Sequence, residues 1–126
     1  MRAYYHRAFT LIELLVVLAI VAVLLTLSVP RYFNSINASK EAILAENLRV
    51  TRETLDKYYS DKGRYPNSLE QLVEEKYLRN MPIDPMTERT DTWVITPPQN
   101  GVDGQVYDIR SGATGATQSG RPFNEL

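Results

Sequence analysis

Few residues of this 126-residue chain could do chemistry, and their placement excludes most catalysis. There is no cysteine, which removes thiolate nucleophiles, disulfides and cysteine zinc sites. The single histidine, His6, stands in the first few residues, so the rest of the chain holds neither a Ser-His-Asp arrangement nor a histidine-rich metal site. Asp84, Asp91, Asp103 and Asp108 are spaced as turn and edge residues, not as a paired acid and base. The chain is therefore not expected to be an enzyme. The residue that stands out is Glu13, the one charge among the 19 residues from Leu11 to Val29. An ionised, unpaired carboxylate near the start of a membrane helix costs about 2–3 kcal/mol, less if it reaches the headgroups. It can snorkel, or it can pair with a cation. No Lys or Arg lies between Phe9 and Val29, so a pairing cation must come from another molecule or from a newly made N-terminus.

The element that positions Glu13 is an apolar helix. Nineteen residues at ~1.5 Å each span about 28 Å, close to the ~30 Å of a bilayer core. Arg2 and Arg7 precede the run and favour a cytoplasmic N-terminus with the remainder on the far side. Tyr4 and Tyr5 before it, and Tyr32 and Phe33 after it, stand where interfacial aromatics belong. The run exceeds the usual ~7–15-residue core of a secretory signal, and no A-x-A site follows, which favours a retained helix over a cleaved signal peptide. Pro30 should kink this helix by removing the hydrogen bond to the Thr26 carbonyl, because the helical pattern resumes directly after it.

Ile36, Ile43, Leu44, Leu48, Thr51, Leu55, Tyr58 and Tyr59 recur at helical spacing and form one apolar stripe. Arg49–Glu53, Arg52–Asp56 and Glu53–Lys57 are i,i+4 pairs expected on the wet face. Gly63 and Pro66 end the helix, which is expected over residues 10–62, near ~80 Å. Its second half cannot bury the stripe alone. Asn67 or Ser68 can cap a short second helix, with Glu70 or Gln71 completing a capping box. A Pro-rich connector, Met81–Thr87, follows. Thr92–Thr96 and Gln105–Arg110 have strand composition around the turn segment Pro97–Gly104, which points to an antiparallel hairpin. The tail from Ser111 to Leu126 should be irregular and anchored by Phe123, with Pro122 fixing its approach near Trp93 or Tyr107. The expected fold is α+β: a long N-terminal helix packed on a small C-terminal antiparallel sheet. Net charge is −1 overall, and residues 31–126 hold 12 Lys and Arg against 14 Asp and Glu with no basic run, which argues against a nucleic-acid partner.

Ala8-Phe9-Thr10-Leu11-Ile12-Glu13-Leu14-Leu15-Val16-Val17 resembles the N-terminal signature of type IV pilin-like proteins, with Pro30 at the family's helix-breaking position. Lys62–Pro66, the Tyr77–Pro85 stretch and Val106–Ala113 resemble, more loosely, the G-type major pseudopilin of type II secretion systems. The resemblance implies a leader over residues 1–8, cut between Ala8 and Phe9 by a prepilin peptidase, and methylation of the Phe9 amine. It implies a membrane and assembly helix over 9–30, with Glu13 and Pro30 as assembly residues. It implies a periplasmic pilin-like body over 31–126, made of helix 31–62, a loop with a short helix over 63–92, and a hairpin with tail over 93–126. The implied function is a structural subunit of a periplasmic pseudopilus that drives protein export from the inner membrane. Its implied partners are copies of itself, minor pseudopilins and the secretion platform. A type IV pilin or minor pilin for motility or DNA uptake is the alternative. Two departures stand out. Ala8 replaces the family's usual Gly, and the Gly-rich tail from Ser111 to Gly120 holds none of the acids that a family calcium loop would use. No cofactor is therefore expected, and Asp103, Asp108 and Glu125 are the only weak calcium candidates nearby.

Overall fold

A computed structural model describes residues 10–126. The chain forms a 52-residue helix α1 (Leu11–Lys62), a short helix α2 (Leu69–Glu74), strands β1 (Val94–Thr96) and β2 (Asp108–Arg110), and a final 3-10 turn, Phe123–Glu125. It divides after Ile36 into two compact units.

In the first unit the apolar residues of α1 are open to their surroundings along the whole run. Leu11 is 75 % exposed and Leu18 56 %, and no residue of the apolar stretch is buried. By length and composition this stretch can cross a membrane. Pro30 lies inside α1, which continues past it; lacking an N–H, it leaves the Thr26 carbonyl without its helical donor. The Thr26 hydroxyl meets its own need within the helix by donating to the Ala22 carbonyl at 2.8 Å.

The second unit, Asn37–Leu126, has its own core. Leu44, Leu48, Thr51, Leu55 and Tyr58 bury one face of α1 against Leu69 and Leu72 of α2 and against Trp93, Val106 and Ile109 around the hairpin. Ile43 and Tyr59 belong to the same sequence stripe but lie at its edges, half exposed, because a helix this solvated buries only a narrow sector. Ser68 caps α2 by accepting from the Gln71 N–H, while the Gln71 side chain accepts from the Asn67 N–H at 2.7 Å. β1 and β2 pair antiparallel, with Ile95 opposite Ile109. They are shorter than expected. Trp93 and Val106 sit just outside the ladder and serve the core, and Trp93 satisfies its indole N–H on the Pro82 carbonyl at 2.8 Å.

Candidate functional site

The chemistry at the head of α1 starts from its cap. Thr10 Oγ1 accepts from the Glu13 N–H at 3.2 Å, the T-x-x-E arrangement of a helix start. Glu13 thus occupies the first turn, where the positive end of the helix dipole favours an acid. The Thr10–Glu13 spacing is the sequence signal for this capping role, which the charge of Glu13 alone does not reveal. Among the described residues the Glu13 carboxylate has no ion-pair partner. Ala8 and Phe9 lie outside the described residues, as do Arg2, His6 and Arg7.

On the body, the expected wet face is only partly wet. Arg49 bridges Glu46 and Glu53 in the open, as helix spacing allows. Arg52 does not pair with Asp56. Its Nε donates to Asp108 Oδ1 at 2.8 Å, and its Nη2 donates to the main-chain oxygens of Ile109 (3.0 Å) and Leu126 (2.6 Å). A strand residue 56 positions away outcompetes the neighbour one turn along, because it offers a rigid, half-buried acceptor beside two main-chain oxygens. Asp84 stands at a turn and a bridge to Arg89, as its spacing suggests, but it is fully buried there, and Ser111 donates to it. At the other end of the body, Tyr58 donates to Glu75 at 2.7 Å and Tyr77 donates to Asp61 at 2.8 Å. The Tyr58 hydroxyl, and behind it Lys62, hold the Glu75 carboxyl below its usual range, while the Asp61 carboxylate pushes the Tyr77 phenol up to about 12.

None of this assembles a reaction centre. Asp103, Asp108 and Glu125 are not brought together: Asp108 is held by Arg52, and Asp103 and Glu125 are exposed. Among the described residues no three His, Asp or Glu side chains gather to hold a metal ion. A recess of about 410 Å³ lies beside Tyr59, Tyr65 and Tyr107, where the Tyr59 and Tyr65 rings stack at 4.6 Å; it carries no titratable group poised as a base or nucleophile. Phe123 packs on the core cluster as the expected anchor, next to Gly115 and beside Met86.

Comparison with known proteins agrees with this geometry. The Prokaryotic N-terminal methylation motif matches residues 4–29. The type II secretion system core protein G of Klebsiella pneumoniae is 30 % identical over 130 residues, covering 90 % of this chain and 89 % of that one. Its counterpart in Escherichia coli K12 is 29 % identical, covering 84 % and 80 %. The type IV major pilin protein PilA of Myxococcus xanthus is 33 % identical over 60 residues, 48 % of this chain but 27 % of that pilin. No solved structure matches. The PilA likeness is partial, whereas the core protein G likeness covers most of both chains, and by it the chain belongs to the type II secretion system core protein G family, the major pseudopilins.

Proposed function

We propose that the chain is the repeating structural subunit of a periplasmic pseudopilus that drives protein export. It waits in the inner membrane as a single-pass protein, with the N-terminus in the cytoplasm and residues 31–126 in the periplasm. A prepilin peptidase removes residues 1–8, Phe9 is methylated, and the mature subunit joins copies of itself, minor pseudopilins and the inner-membrane platform. The chain is not an enzyme, in keeping with a family of structural subunits.

The observation that carries this reading is the unburied helix with one acid in its first turn. Lipid and protein interior are similarly apolar, so moving Leu11–Val29 from bilayer to filament gains little from apolar contact. Polar pairing then selects the register. The Phe9 amine freed by cleavage is cationic through most of the neutral range (unperturbed pKa about 7.7–8), and it supplies the partner that Glu13 lacks, from a neighbouring subunit. Glu13→Leu should leave the protein membrane-inserted and abolish filaments, and the variant should poison filaments when mixed with wild type. Normal filaments from Glu13→Leu alone would sink the pairing role.

The alternative, a type IV pilin for motility or DNA uptake, has the shorter PilA likeness behind it. The acid surplus of the body weighs against a DNA partner. Retardation of DNA by the purified protein at low salt would favour that alternative.

A further inference from the structure

Residues 111–126 have almost no regular structure and little apolar surface besides Phe123 and Leu126, so burial alone does not fix them. In the major pseudopilins that this chain resembles, the expectation is a calcium ion wrapped by this segment. Calcium takes about 6–8 oxygens, with carboxylates among them. The donor set here does not fit it. Thr117 and Ser119 bond each other at 2.8 Å, and Thr117 Oγ1 also accepts from the Arg121 N–H. Asp108 Oδ1 accepts from both Arg52 and the Ile109 N–H. The Asp84 carboxylate accepts from the Met86 N–H and from Ser111. Among the described residues no buried side-chain polar atom lacks a partner.

The segment is tied instead to α1 at two charged residues. Glu41 Oε1 accepts from the Gln118 N–H at 2.7 Å. Arg52 reaches β2 and the main-chain oxygen of Leu126 with one guanidinium. Eleven residues are about three turns of helix, so Glu41 and Arg52 stand on the same flank of α1. Their signs are correct for their targets: a carboxylate for an N–H, a guanidinium for main-chain oxygens and the Asp108 carboxylate. The rigid fork of Arg52 does what a bound cation does, drawing several oxygens from separate segments onto one positive group.

We infer that Glu41 and Arg52 of α1 fasten the C-terminal segment in place of a divalent cation, so that the body folds without calcium. This concerns the fold of the body and stands whether or not the chain builds a pseudopilus.

The test uses the full chain in detergent, with thermal unfolding followed by the near-ultraviolet circular dichroism of Trp93 and the tyrosines. Midpoints in millimolar calcium chloride, magnesium chloride and EDTA should agree within about 1 °C. Arg52→Gln should lower the midpoint by about 5 °C or more in every buffer and speed chymotryptic cleavage after Phe123. Arg52→Lys should recover only part of the loss, since an ammonium cannot serve the same fork. Glu41→Gln, which keeps size and removes charge, should speed the same cleavage with a smaller fall in midpoint, and it gives the reading if Arg52→Gln fails to accumulate. A calcium-specific rise of several degrees in the wild type would overturn the inference. So would wild-type midpoint and cleavage in the charge-removed variants.

Discussion

The Ser111 hydroxyl donates to the Asp84 carboxylate across 2.5 Å, and neither residue exposes any surface. Asp84 also accepts from the Met86 N–H, and its own main chain closes on Arg89, so it organises the turn 84–89. Ser111 in turn accepts from the Ala113 N–H just beyond β2. One buried pair therefore locks the connector to the point where the tail leaves the hairpin.

Ser111→Ala should cost about 1–3 kcal/mol, because it strips a donor from a buried carboxylate. Asp84→Ala should cost more, since it also orphans the Met86 N–H. The double variant should be little worse than Asp84→Ala, as expected for partners in contact. Urea unfolding of the four proteins checks this, and additive losses would show that the two residues act separately.

Two glycines are fixed by close approach. A Cβ on Gly112 would lie 2.1 Å from the Thr92 carbonyl oxygen; at Gly104, whose φ is +108°, it would lie 2.2 Å from that of Tyr65. Gly112→Ala should destabilise by about 1–3 kcal/mol by forcing two backbone segments apart. Gly120→Ala, with open space around it, should cost only the strain of its φ of +89°, on the order of 1 kcal/mol. Equal midpoints in urea for these two variants would contradict the packing seen beside Thr92.

What could be read in the sequence was local. Leu44, Leu48, Leu55 and Tyr58 recur with the helical period, Ser68 and Gln71 carry their own cap, and Pro97–Gly104 breaks the chain between strand-like runs. The errors are long-range. Spacing along α1 sees Asp56 one turn from Arg52 and is blind to Asp108, which only folding brings alongside. Asp84 does stand at a turn, as its place in a Pro-rich connector suggests, but its burial with Ser111, 27 residues on, is visible only in the fold. Glu13 is legible as a lone acid in an apolar run, whereas its cap on Thr10 is a weak local signal beside that run.

Alkaline pH should loosen the end of the body where Tyr77 meets Asp61. The hydrogen bond to Asp61 holds the Tyr77 phenol up to about 12, and burial followed by the Glu75 contact raises Tyr58. An unfolded tyrosine ionises near ~10. A folded value above the unfolded one gives stability that is complete below about pH 10 and lost as pH rises towards about 12. Tyr77→Phe should therefore flatten part of the alkaline fall in urea midpoint and leave the neutral-pH midpoint little changed, because this pair is open to solvent and screened. An alkaline slope unchanged by Tyr77→Phe would mean that this phenol does not couple to folding.

On the proposed function, the role of Glu13 depends on processing at Ala8–Phe9. Removing residues 1–8 discards Arg2 and Arg7, leaving 12 Lys and Arg against 15 Asp and Glu, a balance of −3. It also creates an α-amine next to Thr10, which already caps the helix whose first turn holds Glu13. An amine one residue before Thr10 would gain nothing from the dipole of its own helix, whereas pairing with a neighbour's Glu13 would relieve both charges in lipid. The mature protein should therefore begin at Phe9, one methyl group heavier than the cut chain, by intact-mass measurement. Ala8 should slow the cut relative to glycine because of its added methyl, so Ala8→Gly should shorten the lifetime of the uncut form in cells, and Ala8→Leu should block processing. In the blocked variant Glu13 has no free amine to receive, and filaments should fail just as they do in Glu13→Leu, with the protein still in the membrane. Filaments built from chains that retain residues 1–8 would separate assembly from processing and remove the Phe9 amine from the mechanism.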